Sequence, residues 1–143
     1  MAGHDTTAGL ISFFIYFMAK YPQHQRKLQE EIDSLSHLLN DEHIAEFCTE
    51  AKFMLQCINE SLRLFPPIYI MDKQTIEDIQ LGNHFIPKDT MVSVPNIAVQ
   101  RNPHIWKNPN EFDPERWTIE RIKEIPEELL RFSFIPFGVG QRG

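Results

Sequence analysis

An acid and an alcohol stand side by side near the start of the chain. Asp5 and Thr6 belong to the segment AGHDTT at residues 2–7, which leads into a strongly apolar run. A carboxyl beside a hydroxyl can donate, accept and relay protons. Gly3, two residues earlier, costs about 1 kcal/mol relative to Ala inside a helix and is tolerated where another group approaches the backbone. Asp and Thr are also common at the N-caps of helices. The residues alone therefore leave two interpretations open, a proton-transfer pair and a helix cap.

A second pair of reactive side chains is Glu60 and Arg63. The spacing i, i+3 places them on one face of a helix, where an exposed pair contributes only about 0.3–0.5 kcal/mol. Apolar residues flank this pair on both sides, so we expect it to be partly buried. A buried ion pair requires a further hydrogen-bond partner. Arg116, in the run FDPERW at residues 112–117, is the candidate for that partner; an ordinary turn is the alternative.

The last ten residues, 134–143, combine aromatic side chains, glycines and an arginine in the sequence FIPFGVGQRG. Two glycines would allow the backbone to lie against a flat ligand, and Arg142 could pair with an anion. A phosphate-binding loop is the alternative for such a glycine-rich segment. That loop requires G-x-x-x-x-G-K-[ST] or a G-x-G-x-x-G that enters a helix, and the given sequence ends at Gly143, before such a helix could follow.

Helices are predicted for the first half of the chain. Residues 1–20 predict the second half of a buried helix, and residues 22–65 a helical region that begins with an amphipathic helix. Thr49 is the predicted N-cap of the helix that carries Glu60 and Arg63. The dipeptide at residues 66–67 is Pro-Pro, which must end that helix.

After residue 66 the pattern changes to short extended runs and turns. Residues 66–100 predict short strands, with a hairpin turn at 81–83 (Leu-Gly-Asn) and a helical turn at 95–99. Residues 101–143 hold five prolines and several glycines and predict a long coil.

Composition limits the classes of protein that the chain can belong to. It has 143 residues, 42% hydrophobic and 24% charged, which fits one modest globular domain or a piece of a larger protein. Its net charge of −6 and lack of a basic stripe argue against nucleic-acid binding. Its 2 cysteines cannot form a disulfide framework, and its 6 scattered histidines contain no H-E-x-x-H, which argues against a metal hydrolase. The most apolar run, residues 10–19, is too short to span a membrane and lacks the basic flank of a signal peptide.

The four motifs, taken in order, resemble the C-terminal third of a cytochrome P450. Residues 2–7 match the family's A-G-x-[DE]-T-T, residues 60–63 its E-x-x-R, and residues 114–117 its P-E-R-[FW]. Residues 137–143 match the start of its heme loop, F-x-x-G-x-R-x-C-x-G, and are called the heme loop below. The resemblance covers essentially residues 1–143. It implies a mainly α fold with small β-sheets (α+β): the end of the oxygen-binding helix, the E-x-x-R region, short strands, and a meander leading into the heme loop.

The resemblance also implies roles for individual residues. Asp5 and Thr6 correspond to the catalytic acid–alcohol pair at the oxygen-binding face, where Thr6 hydrogen-bonds the bound oxygen and Asp5 relays protons. The residues implied in heme binding are Ala2, Gly3, Lys73, Phe137, Gly138 and Arg142. Glu60, Arg63 and Arg116 are implied as a structural network that holds the heme loop.

Two positions depart from the family pattern. Lys73 stands where a second propionate-binding arginine is usual, so it keeps the charge but loses the bidentate geometry. Gln100 stands before Arg101, where many members have histidine.

For the whole protein, the resemblance implies a heme-dependent monooxygenase that inserts one atom of O2 into a lipophilic substrate. Electrons are expected from NADPH through a reductase partner, at the cytosolic face of the endoplasmic reticulum, with a membrane anchor upstream. The iron-ligating cysteine is expected directly after Gly143, so the chain itself is expected to supply no metal ligand and to be an inactive fragment. The alternative is a truncated, non-enzymatic binding or interaction module.

Overall fold

Helices make up the first half of the structure, a computed structural model that describes residues 2–138. The helices are α1, Ala2–Lys20; α2, Pro22–Ser34; α3, Ile44–Glu50; and α4, Lys52–Leu64. A short 3-10 helix, Ser36–Leu38, lies between α2 and α3. Helix α4 ends at Leu64 because Pro66 and Pro67 cannot donate the hydrogen bonds that would continue it.

Two small antiparallel sheets come after the helices. Their strands are β1, Met71–Gln74; β2, Ile79–Leu81; β3, His84–Ile86; and β4, Met91–Val94. Strand β1 pairs with β4, and β2 pairs with β3 across a tight turn. Gly82 lies in that turn with φ +57°, a left-handed conformation that glycine adopts at little cost. The predicted hairpin is therefore present, and the expectation of a mainly α fold with small β-sheets is confirmed.

Short helices replace much of the coil that was expected after residue 100. Helix α5, Asn96–Val99, is the helical turn predicted at 95–99. After residue 100, a 3-10 helix covers Pro114–Trp117, α6 is Ile119–Ile122 and α7 is Glu127–Ser133. The prediction of a long coil over 101–143 is thus wrong for part of its length. Pro114 is the first residue of its helix and Pro126 is the N-cap of α7, positions where a missing N–H costs nothing.

An aromatic stack forms the centre of the core. The ring centroids of Phe17 and Phe112 are 4.2 Å apart, and those of Phe13 and Phe65 are 4.0 Å apart. Phe17 and Phe112 pack in one buried cluster with Met18, Leu28, Phe53, Cys57 and Leu64. The stack joins α1, α2 and α4 to the segment just before the second 3-10 helix.

Helix α1 is present as predicted, but most of it lies at the surface in this structure. Among its described side chains only Phe17 and Met18 are buried. Ile11, Ile15 and Tyr16 are all at least half exposed, at 51%, 60% and 50%. The buried side chains of the helix therefore lie in its last turn. No helix within residues 2–138 is long and apolar enough to cross a membrane.

The N-terminus of α4 is capped by a side chain from another helix. The prediction of Thr49 as its N-cap is wrong, since Thr49 lies inside α3 and its hydroxyl donates to the Ala45 carbonyl. The Glu31 carboxylate of α2 instead accepts from the backbone N–H groups of Phe53 and Met54, at 2.7 and 2.8 Å. A carboxylate also interacts favourably with the positive end of a helix dipole.

Replacement of Glu31 tests this cap. We expect Glu31→Ala to lower the free energy of unfolding by about 1–2 kcal/mol, because two partly buried N–H groups lose their acceptor. Urea unfolding followed by circular dichroism measures the change. Glu30→Ala, at an exposed position on the same helix, is the matched control and should change stability by less than about 0.5 kcal/mol. Equal effects of the two substitutions would contradict the capping role.

Candidate functional site

The Glu60 carboxylate is the centre of a buried polar network. Glu60 is fully buried on α4 and accepts from two nitrogens of Arg63, Nε at 2.8 Å and Nη2 at 2.8 Å. It also accepts from Arg116 Nε at 2.9 Å, from Trp117 Nε1 at 3.0 Å and from the backbone N–H of Asp113 at 3.0 Å. Five donors thus converge on one carboxylate, which satisfies both of its oxygens.

Arg63 extends the network away from Glu60. It is fully buried, and its Nη1 donates to the carbonyls of Gln100 and Pro109 at 2.9 and 2.8 Å. Its Nη2 donates to the carbonyl of Glu111 at 3.2 Å. The guanidinium therefore links the end of α4 to three points of the chain between 100 and 111. A lysine could not make these contacts, because it lacks the planar fork of donors.

Arg116 provides the second cation of the network. Only 5% of it is exposed, and beyond Glu60 its Nη1 donates to the Lys107 carbonyl at 3.0 Å. Two guanidiniums and one carboxylate leave one excess positive charge, which the backbone carbonyls partly compensate. Glu60, Arg63 and Arg116 are therefore in direct contact, with Glu60 shared between the two arginines.

Two partly exposed ion pairs lie at the edge of this network. Arg121 Nη2 is 2.8 Å from Asp113 Oδ2, and Lys27 Nζ is 2.7 Å from Glu115 Oε1. Burial alone raises the pKa of the Asp113 carboxyl, but the hydrogen bond and charge of Arg121 lower that pKa below its ordinary value overall. The hydrogen bond and charge of Lys27 likewise lower the pKa of Glu115.

The predicted acid–alcohol pair lies in the first turns of α1. The Asp5 carboxylate is 88% exposed and lies 3.7 Å from His4 Nδ1. The Thr6 hydroxyl donates to the Gly3 carbonyl at 3.2 Å, and an added Cβ on Gly3 would meet nothing within 4 Å. Ala2 is the first residue of α1, and its side chain lies outside the described part. The space beside Gly3 at this end of the helix is thus unfilled.

The remaining predicted heme contacts fall at two places. Lys73 is exposed in the middle of β1, opposite Val92 of β4. Phe137 is 54% exposed at the start of the heme loop. Gly138 comes next with φ +91°, a conformation that strains any other residue, and an added Cβ there would lie 2.8 Å from Met71 Sδ, so the Met71 side chain would have to shift. Arg142 lies outside the described residues.

The described residues include candidate contacts for the porphyrin of a heme. An exposed aromatic ring followed by a glycine pressed against β1 suits the flat apolar face of a porphyrin. Among residues 2–138 no group of three His, Cys, Asp or Glu side chains could hold a metal ion. Burial raises the pKa of the Cys57 thiol to about 12, so it is not a thiolate, and Cys48 is on the separate helix α3. Cys57 therefore does not suit an iron ligand.

One residue of the site was undervalued from the sequence. Gln100 was noted only as a departure from the family pattern, yet it is fully buried and contacts both α4 and the segment that leads into the heme loop. Nothing in its local sequence separates it from an exposed glutamine at a helix end. Its partners lie 35–38 residues away, beyond the reach of a local pattern.

Comparison with known proteins decides the family. A sequence model of the family described as "Cytochrome P450" matches residues 1–143. The chain belongs to the cytochrome P450 family. It is 34% identical to rat cytochrome P450 3A9 over 142 residues, 36% identical to rabbit cytochrome P450 3A6 over 143 residues, and 34% identical to human cytochrome P450 3A5 over 142 residues.

These P450 alignments cover 99% of this chain and 27% of each of the three relatives. The chain thus spans about a quarter of the length of the curated relatives that it matches.

Removal of the charge at Glu60 tests the network. We expect Glu60→Gln to lower the free energy of unfolding by about 3–5 kcal/mol or to prevent folding, because two buried guanidiniums lose their anion. Glu115→Gln is the matched control, since it neutralises an ion pair that is about half exposed, and should cost less than about 1 kcal/mol. Thermal and urea unfolding measure both. Similar losses of unfolding free energy in the two variants would show that the structure does not depend on the buried charge of Glu60.

The pH dependence of stability tests the Asp113–Arg121 pair. The pKa of Asp113 is lower in the folded chain, so its contribution is present above the unfolded value of about 3.9 and is lost as the pH falls below it. We expect Asp113→Asn to flatten the loss of stability in this acid range. Asp41→Asn, at an exposed turn, is the control and should leave the curve unchanged. The measurement is the free energy of unfolding as a function of pH between about pH 6 and pH 3. Parallel curves for Asp113→Asn and the unsubstituted chain would show that the Asp113–Arg121 pair does not contribute to the pH dependence.

Proposed function

We propose that the protein containing this segment is a heme-dependent monooxygenase that inserts one atom of O2 into a lipophilic substrate. The observation that carries the proposal is the fully buried contact of Glu60 with Arg63 and Arg116 in a chain of this family. The proposed role of the network is structural, and no contact with substrate is assigned to it. Its proposed task is to hold the chain between 100 and 117 against α4, so that the heme loop leaves from a fixed base.

Heme, when bound, supplies the redox chemistry that activates dioxygen. The proposed contacts of this chain are Phe137 packing against the porphyrin, and Lys73 and Arg142 pairing with its propionates. The exposed ring of Phe137 and the exposed ammonium of Lys73 support this assignment. The metal ligand of the proposal is the cysteine that the family pattern places after Gly143.

Asp5 and Thr6 are the proposed proton-handling residues. The Thr6 hydroxyl can donate and accept hydrogen bonds, so it can hold a proton at the oxygen-binding position. The exposed Asp5 carboxylate can exchange protons with water and pass them along the same turn of α1. Gly3 and Ala2 leave the space in which a diatomic ligand fits, in keeping with the open side found at Gly3.

Substrate, partner and location are further parts of the proposal. Tyr69 and Ile70, at the turn before β1, are 49% and 56% exposed, and this apolar surface suits a lipophilic substrate. Electrons would come from NADPH through a reductase partner, with the protein at the cytosolic face of the endoplasmic reticulum membrane. Support for these assignments is the family membership together with the wording of the motifs, which, with His4 and Gln141, resembles that of eukaryotic microsomal members.

Replacement of Thr6 tests the proposed function in a heme-loaded, full-length protein that includes residues 1–143. We expect Thr6→Ala to raise the hydrogen peroxide released per O2 consumed by about tenfold, because proton delivery is no longer controlled. The measurement uses NADPH and a reductase, with an oxygen electrode and a peroxide assay.

Thr7→Ala is the matched control. Thr7 is the next residue of α1, and its hydroxyl donates to the same Gly3 carbonyl at 2.9 Å. It should leave the peroxide ratio unchanged. An equal ratio in Thr6→Ala and the unsubstituted protein would remove Thr6 from the mechanism. A heme-loaded protein that consumes no O2 with NADPH and a reductase would overturn the monooxygenase proposal itself.

A further inference from the structure

The end of α4 has carbonyl groups that its own helix cannot satisfy. In an α-helix the carbonyls of Leu62 and Arg63 would accept from the N–H groups of residues 66 and 67. Both of those residues are proline, which has no N–H. The two carbonyls therefore require donors from elsewhere in the chain, since an unpaired buried carbonyl is costly.

Gln100 supplies these donors. It is fully buried, and its Nε2 donates to the Leu62 carbonyl at 3.0 Å and to the Arg63 carbonyl at 3.1 Å. Its own backbone carbonyl accepts from Arg63 Nη1 at 2.9 Å. The side-chain amide thus completes the helix end that the two prolines leave open.

The other atom of the same amide reaches the chain before the heme loop. Gln100 Oε1 accepts from the backbone N–H of Ile135 at 2.8 Å, and Ile135 is 4% exposed. The Ile135 carbonyl in turn accepts from Gly138 N at 3.0 Å and closes the turn that carries Phe137. One planar group therefore connects the end of α4 with the first turn of the loop.

We propose that Gln100 is the positioning residue that sets the start of the heme loop, Phe137 and Gly138, against α4. This inference deepens the proposed function, because Phe137 and Gly138 contact heme only under that proposal. Glutamine suits the position because its amide donates two hydrogen bonds and accepts others at the same time. It also has no titratable proton, so the connection is independent of pH.

An imidazole at this position would behave differently. Neutral histidine has one donor and one acceptor nitrogen, so it can serve Ile135 together with one of the two carbonyls. Protonated histidine has two donors and no acceptor, so it must release the Ile135 N–H. A histidine here would make the attachment of the loop depend on pH.

Hydrogen exchange at the Ile135 amide tests the proposal on the 143-residue chain without heme. We expect Gln100→Met to speed exchange at Ile135 by about tenfold relative to Ala51, a buried residue whose amide bonds to the Phe47 carbonyl. Ala51 reports overall unfolding, so a general loss of stability changes both amides together. Gln80→Met, at an exposed position on β2, is the matched control and should leave the ratio unchanged.

Gln100→His provides a second test, the pH dependence of exchange at Ile135, which should not change if Gln100 only fills space. Its Ile135-to-Ala51 ratio, corrected for intrinsic exchange, should rise as the pH falls through the histidine pKa, whereas the ratio in the unsubstituted chain should stay flat. Three results would overturn the proposal: no protection of Ile135 in the unsubstituted chain, no change in Gln100→Met, or a flat profile in Gln100→His. Because heme is absent, these results are distinguishable from a failure of monooxygenase activity in the full-length protein.

Discussion

The buried charge of Glu60 is the constraint on which the rest of the structure depends. A carboxylate removed from water is stable only if cations and N–H groups replace its hydration. Arg63 comes from the same helix. The other donors, from Asp113, Arg116 and Trp117, follow the four strands in the sequence. The chain that leaves α4 at residue 65 must therefore come back to α4 after residue 112. Phe112 stacks on Phe17 of α1, and this apolar contact also stabilises the returning segment.

The prolines and the polar network act on the same helix end. Pro66 and Pro67 stop α4 where the chain turns toward the sheets, and they also leave two carbonyls for Gln100. Arg101, the next residue, donates to the carbonyl of Leu64 at 2.6 Å. Adjacent side chains from the end of α5 thus cap three successive carbonyls. These hydrogen bonds hold the end of α4 to the segment at 100–101.

Local sequence rules predicted the features that depend on neighbours in the chain. The i, i+3 spacing of Glu60 and Arg63, the stop at Pro66 and the turn at Gly82 all result from backbone geometry. The rules failed where a distant group intervenes: Glu31 caps α4 in place of Thr49, and Gln100 was weighed only as a substitution. They also overestimated proline as a breaker, since Pro114 and Pro126 stand at helix starts.

The separation in sequence between Glu60 and its partners has a consequence for the folding of the chain. Its contacts with Asp113, Arg116 and Trp117 close loops of 53, 56 and 57 residues, which form late compared with helix turns. Until they form, Glu60 and Arg63 stay hydrated, and a compact state that buries this pair early leaves the Glu60 carboxylate without three of its five donors. The network thereby penalises a collapse that buries this face of α4 before the segment at 113–117 has arrived.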